Sequence, residues 1–181
     1  YDYYGGDSNA VKDEIKSDVV DITSTDSAFA ALKKDGSVVT WGYYKDGGDS
    51  ELIRDKLSSG VKKVFSNYAS FAALKKDGSV VTWGNGEFGG NSEYVKEELN
   101  SGVSIIFSNC CAFAALKENG SLVTWGTPLN GGDSRAIKDK IKENVQSVFS
   151  SSNSFAALKK DGSVVTWGRE ESGGDSSLVA N

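Results

Sequence analysis

One stretch constrains this chain more than any other: Phe71-Ala-Ala-Leu-Lys-Lys-Asp-Gly-Ser-Val-Val-Thr-Trp-Gly84. It recurs from Phe29, Phe113 and Phe155 with no insertion between copies, and the Phe113 copy differs mainly by Asn119 for Asp and Leu122 for Val. Two runs of strand-forming residues flank Asp-Gly or Asn-Gly, so each copy reads as a β-hairpin with a two-residue type I′ turn. Taking Asp35-Gly36 as the loop pairs Leu32 with Val39 and Ala30 with Trp41 on one face. Lys33/Val38 and Ala31/Thr40 then lie on the other face.

The rest of the period is equally regular. Gly-Gly doublets stand at 5–6, 47–48, 89–90, 131–132 and 173–174, each followed by Asp-Ser or Asn-Ser, residues suited to a helix N-cap. Apolar pairs follow at spacing four (Val11 and Ile15, Ile53 and Leu57, Val95 and Leu99, Ile137 and Ile141), the stripe of a helix of about two to three turns. Asp18, Gly60, Gly102 and Asn144 end it, residue types that accept the left-handed C′ conformation. Short strands follow over Val19 to Thr23, Val61 to Phe65, Val103 to Phe107 and Val145 to Phe149. A unit of helix, strand, loop and hairpin carries apolar groups on both sheet faces and needs a neighbour on each. Face-to-face stacking of this kind makes a propeller or an α/β solenoid. No linker interrupts it, so residues 1–181 read as one tandem-repeat domain of about four repeats, beginning and ending mid-repeat. Alternation with Val places the four Trp in the core rather than on a sugar- or base-stacking surface.

With strand, loop and A-F-A-A-L-K-x-D-G-S-V-V-T-W-G in this order, the repeat resembles the RCC1-like repeat (regulator of chromosome condensation). Within that superfamily it is closest in shape to the three-stranded blades of the bacterial β-lactamase inhibitor propeller. The resemblance implies a mainly β fold with one short helix per repeat, an open or partial β-propeller or superhelical array. The chain departs from the pattern in three places. Ala28, Ser70, Ala112 and Ser154 stand where the family usually has His. Gly-Gly-Asp-Ser and a helix replace its Gly-Gln-Leu-Gly-like loop end. There are four hairpins where family propellers close with about seven blades. No family functional residue carries over.

Composition narrows the chemistry. The net charge is −5 with both signs interspersed, which offers no basic stripe to nucleic acid. No apolar run approaches a transmembrane length, and no signal-peptide pattern is present. Met is absent even at position 1, so the sequence reads as a processed product or an excised piece. The compartment stays open, leaning to the extracellular or cell-surface side. With no His, the commonest general base and transition-metal ligand are missing. Ser without His makes no triad, and Gly-Gly-Asp-Ser lacks the ligand spacing of a calcium loop. Adjacent Cys110 and Cys111 are expected not to bridge. Asn119-Gly-Ser121 matches a glycosylation sequon but is explained by its turn. The expectation is no enzyme, no cofactor, no metal and no catalytic residue.

Two loop sets vary among the four copies while the framework does not. One lies between Trp-Gly and Gly-Gly, the other just before Phe. Loops on a rigid scaffold carry recognition, and aromatics anchor interfaces. The candidate protein-binding residues are therefore Tyr3, Tyr4, Tyr43, Tyr44, Tyr68 and Phe88. Two functions are expected: a structural scaffold that self-associates or belongs to a longer array, or a module gripping one protein partner through these loops. Beyond four whole periods a short remainder is left, Arg169 to Asn181, which restates the start of the chain. The expectation is an open array whose end meets another copy head to tail.

Overall fold

The computed structural model describes residues 6–175. Four three-stranded antiparallel sheets follow one another, each in chain order. Blade 1 is β1 (Val19–Ser24), β2 (Ala28–Lys33) and β3 (Val38–Gly42). Blade 2 is β4 (Val61–Ser66), β5 (Ser70–Lys75) and β6 (Val80–Gly84). Blade 3 is β7 (Val103–Ser108), β8 (Ala112–Lys117) and β9 (Leu122–Gly126), and blade 4 is β10 (Val145–Ser150), β11 (Ser154–Lys159) and β12 (Val164–Gly168). Single-turn helices α1 (Lys12–Ile15), α2 (Arg54–Leu57), α3 (Lys96–Leu99) and α4 (Lys138–Ile141) precede the blades, each entered through a 3-10 turn. The helices are shorter than the spacing of their apolar residues suggested, because the first half of each stripe is 3-10.

The hairpins form as expected, but their register corrects the sequence reading by one residue. Lys33 N–H donates to the Ser37 carbonyl and Gly36 N–H to the Lys33 carbonyl, both at 2.9 Å. The loop is thus Lys34-Asp35-Gly36, in which Gly36 has φ 83° and Asp35 does not have positive φ. That is a type I turn closed by a left-handed glycine bulge, not a type I′ turn. The Asp35 carboxylate stabilises it by accepting from Ser37 N–H at 2.9 Å and Ser37 Oγ at 2.7 Å. The shift sets Phe29 opposite Trp41, Ala31 opposite Val39 and Leu32 opposite Val38. Instead of an indole facing Ala, each blade stacks Phe on Trp, with centroids 5.0–5.3 Å apart.

Of each Asp-Ser or Asn-Ser pair it is the first residue that caps. Asp7, Asp49, Asn91 and Asp133 accept from the N–H two positions on, at 2.8–3.0 Å. The following Ser makes no cap. Ser50 and Ser92 instead bond the hydroxyls of Thr40 and Thr82 at 2.9 Å, tying helix to hairpin. At the other end Asp18, Gly60, Gly102 and Asn144 take φ between 62° and 76°, as read from sequence. Lys33, Lys75 and Lys117 donate to carbonyls of the preceding helices (Glu14, Lys56 and Glu98) at 2.6–2.8 Å, the favourable place for a cation beside a helix C-terminus.

The core lies between blades. The Ala30/Leu32 face of blade 1 packs on Leu57, Val61, Val64, Phe71 and Trp83 of the next repeat. Ala72/Leu74 packs likewise on Leu99, Val103, Ile106, Phe113 and Trp125, and Ala114/Leu116 on Ile141, Val145, Val148, Phe155 and Trp167. Burying one such aromatic or aliphatic side chain is worth about 1.5–3 kcal/mol. Each indole also reaches back into the preceding repeat: Trp83, Trp125 and Trp167 donate Nε1–H to the carbonyls of Gly47, Gly89 and Gly131 at 3.0–3.1 Å. A Cβ on Gly47 would stand 2.6 Å from the Phe71 ring, so the doublet is glycine because the next repeat's aromatic pair sits against it.

Candidate functional site

Three internal interfaces are alike, and each end of the array presents one half of the same interface. At the front, Ile22 in β1 is 57% exposed, whereas its equivalents Val64, Ile106 and Val148 are buried. Val19, Ile15, Phe29 and Trp41 beside it are half-buried where their middle-repeat counterparts are buried. At the back, Phe149 is 60% and Val164 52% exposed, and Ala156 and Leu158 lose the burial of Ala72 and Leu74. Among the described residues the array is open at both ends.

The two variable loop sets converge on a single rim. Thr25 Oγ1 donates to the Asp46 carbonyl at 3.2 Å, and Asn67 and Asn109 Nδ2 donate to the Phe88 and Asn130 carbonyls at 2.6 and 2.7 Å. Ser151 Oγ does the same to Ser172 at 3.0 Å. Of the sequence-predicted residues, Tyr68 and Phe88 meet with centroids 5.9 Å apart, and Tyr43 and Tyr44 at 5.2 Å. Tyr44 and Tyr68 are more than half exposed, and Lys45 lies over the Tyr44 ring at 5.7 Å. Tyr3 and Tyr4 lie outside the described residues. The rim carries bonds from repeat to repeat as well. Asp26 N–H donates to the Tyr68 carbonyl, Tyr68 N–H to Cys110 and Cys110 N–H to Ser152, at 3.0–3.1 Å.

Cys110 and Cys111 are joined by a disulfide, contrary to the expectation that neighbours do not bridge. The tight bend before the hairpin turns both side chains to one side. Asp26-Ser27 and Tyr68-Ala69 keep the same bend without any cross-link, their carbonyls and amides making the corresponding bonds. The fold therefore does not depend on the bridge.

Titratable groups are perturbed only locally. Hydrogen bonds from Ser37, Ser79 and Ser163 hold the Asp35, Asp77 and Asp161 carboxyls below the usual range. Arg135 does the same for Asp133. Burial pushes the Tyr94 phenol up. Tyr94, which the sequence did not single out, accepts from Gly126 N–H at 3.0 Å and borders an outer groove of about 680 Å³ between α3, β9 and α4. Ala10, Leu52 and Ala136 hold its position in the other repeats, so its singularity was readable, but its contact was not. The groove mixes Glu98, Lys117, Asp133 and Arg135 with Val95 and Leu122. Among the described residues no cluster of metal-ligating side chains occurs, and no helix is long and apolar enough to cross a membrane.

No protein-family model and no curated protein matches the sequence. Solved structures do. Prp20p, the RCC1 protein of Saccharomyces cerevisiae, is 18% identical over 87% of this chain and 45% of its own, with a TM-score of 0.57. The ectodomain of the Arabidopsis thaliana receptor kinase ACR4 gives 19%, 83%, 52% and 0.54. That of the Physcomitrella patens receptor kinase CR4 gives 14%, 86%, 40% and 0.53. At these identities the likeness is one of fold: the chain is a mainly β, open or partial propeller of RCC1-like blades. It spans about half or less of the length of these structures. Prp20p has been studied for its binding to Gsp1p and histones and solved bound to Kap60.

Proposed function

We propose that the chain, as one array over residues 1–181, is a non-enzymatic protein-binding module that works by stacking. Its end faces take further RCC1-like repeat units, in other copies of itself or in a longer array. One observation carries this reading: blade packs on blade three times through the same residues, and Ile22 at the front and Phe149 at the back are the uncovered halves of that contact. Protein partners such as those of Prp20p support binding rather than catalysis for this architecture. Nucleic acid and cofactors have no part in it. The test is particle mass by light scattering over a wide concentration range, together with hydrophobic-dye binding. Mass that rises with concentration, or dye bound by the isolated chain, is the expected result; a strict monomer that binds no dye rules the reading out.

A second reading rests on the rim, where the Tyr43/Tyr44 and Tyr68/Phe88 pairs lie on adjacent repeats. A protein partner held there would lose about 1–2 kcal/mol of affinity on Tyr68→Ala, with the self-association of the chain unchanged. Equal affinity of variant and parent, measured by calorimetry, would remove the rim from consideration.

A further inference from the structure

Resting on the stacking reading above, we propose that the unit seated on each end face is a second copy of this chain, docked head to tail in repeat register. Three hydrogen-bond columns run through the array, and all have a direction. In the first, each repeat donates forward: Asp26 N–H to Tyr68, Tyr68 N–H to Cys110, Cys110 N–H to Ser152. In the second, each repeat donates backward through a hydroxyl: Ser66 to the Ser24 carbonyl, Ser108 to Ser66 and Ser150 to Ser108, at 2.7–2.9 Å. In the third, Val61, Val103 and Val145 N–H donate back to the turn carbonyls of Gly36, Gly78 and Gly120 at 2.9 Å.

The next rungs of these columns are fixed by the pattern. The front face holds the Asp26 carbonyl, the Ser24 hydroxyl and the Val19 N–H. The back face holds the Ser152 N–H, the Ser150 carbonyl and the Gly162 carbonyl. Every donor on one face has its acceptor on the other, around the apolar patches of Ile22 and of Phe149, Leu158 and Val164. Front against front would not continue these columns, since the carbonyls that the Val19 N–H and the Ser24 hydroxyl reach in repeat register lie on the back face, and buried polar groups left without partners are costly. The contact is therefore heterologous and directional, and it extends rather than pairs. A Cβ on Gly78 would meet Gly102 N at 2.8 Å, whereas one on Gly162 meets nothing within 4 Å, so the back turn has the space that the next unit's Val19 strand requires. This chain itself carries both halves of the contact, which identifies the occupant.

In this register Gly174-Asp175 of one copy falls on the place of Gly6-Asp7 of the next, since the segments are the same point of the repeating period. One of the two must yield, so a chain shortened after Ser172 docks more tightly.

The decisive experiment uses two full-length variants at exposed positions, Ile22→Asp to disable the front and Phe149→Asp to disable the back. Light scattering should show each alone weakened roughly tenfold or more in self-association. Mixed, they should form a one-to-one complex and nothing larger, because one good back meets one good front. Full association by either variant alone, or no complex from the mixture while the parent chain associates, overturns the head-to-tail contact. If the parent and shortened chains stay monomeric yet bind dye that the two variants lose, the end faces are open but the occupant is not a second copy. If they stay monomeric and bind no dye, the stacking reading itself fails.

Discussion

Repeat 3 and repeat 1 share a hairpin framework in different company. Ile106 and Ile22 hold the same place in the first strand of their blades, yet one is 2% and the other 57% exposed. Trp125 is wholly buried, while Trp41, with the same stacked Phe beside it, is half-buried. Burial here is conferred by the repeat next door rather than by the residue's own blade, as expected of an array held together by nearest-neighbour contacts.

The widest gap should open at tryptophan. Trp125→Ala should destabilise by about 3–5 kcal/mol as a large core truncation that also deprives the Gly89 carbonyl of its donor, and Trp41→Ala by clearly less, in denaturant unfolding of the isolated chain. Equal losses would mean that the front face is covered. Isoleucine gives the same contrast on a smaller scale: Ile106→Ala should cost about 2–4 kcal/mol and Ile22→Ala under about 1 kcal/mol.

Glycine separates strain from contact. Gly78 and Gly162 both have positive φ, 79° and 87°, so Val at either carries backbone strain of about 1–3 kcal/mol. Only Gly78→Val adds a clash with Gly102, so its unfolding midpoint should fall further than that of Gly162→Val. Indistinguishable midpoints would show that the turn does not touch the following repeat.

The smallest effect is one of pH, and it contrasts blade 2 with blade 3. The Ser79 hydrogen bonds hold the Asp77 carboxyl below its ordinary 3.8, so its folded pKa is depressed. Its contribution is present above the unfolded value and fades as pH falls through the lower folded one. Asn119 makes the same bonds to Ser121, at 3.0 and 2.7 Å, without titrating. Asp77→Asn should therefore unfold with a shallower acid dependence below about pH 4, checked by the melting temperature across that range. A parallel acid profile would exclude the turn carboxylate from acid sensitivity.

Much of the architecture was legible because the period repeats its own evidence. Four copies of the hairpin, left-handed C′ residues at Asp18 and Asn144, and apolar groups on both sheet faces all point to stacked blades, and the structure has them. The register was not legible, because Asp-Gly serves both a two-residue I′ turn and a longer turn with a glycine bulge. What decides between them is the stacking of Phe on Trp and the Asp35–Ser37 bond, neither of which a propensity records. Asp7 and Ser8 are equally good caps on paper; in the next repeat the hydroxyl of Thr40, on the hairpin before it, claims Ser50. Of the six aromatic candidates, spacing could group them by loop but not show that Tyr68, before its hairpin, meets Phe88, after it. The Cys110–Cys111 bridge depends on a bend that sequence separation alone does not reveal.

The reach of each indole into the preceding repeat has a consequence for length. A single period cut at the hairpin boundaries contains no finished interface, since the aromatic pair and the glycine it rests on belong to different copies. Any stretch of one whole period, wherever it starts, contains one interface's worth of parts. Adding or removing one whole period at any loop therefore changes the number of interfaces by one and breaks none. Internal growth or loss that keeps every interface whole goes by the period, with each indole finding the glycine of the repeat before it.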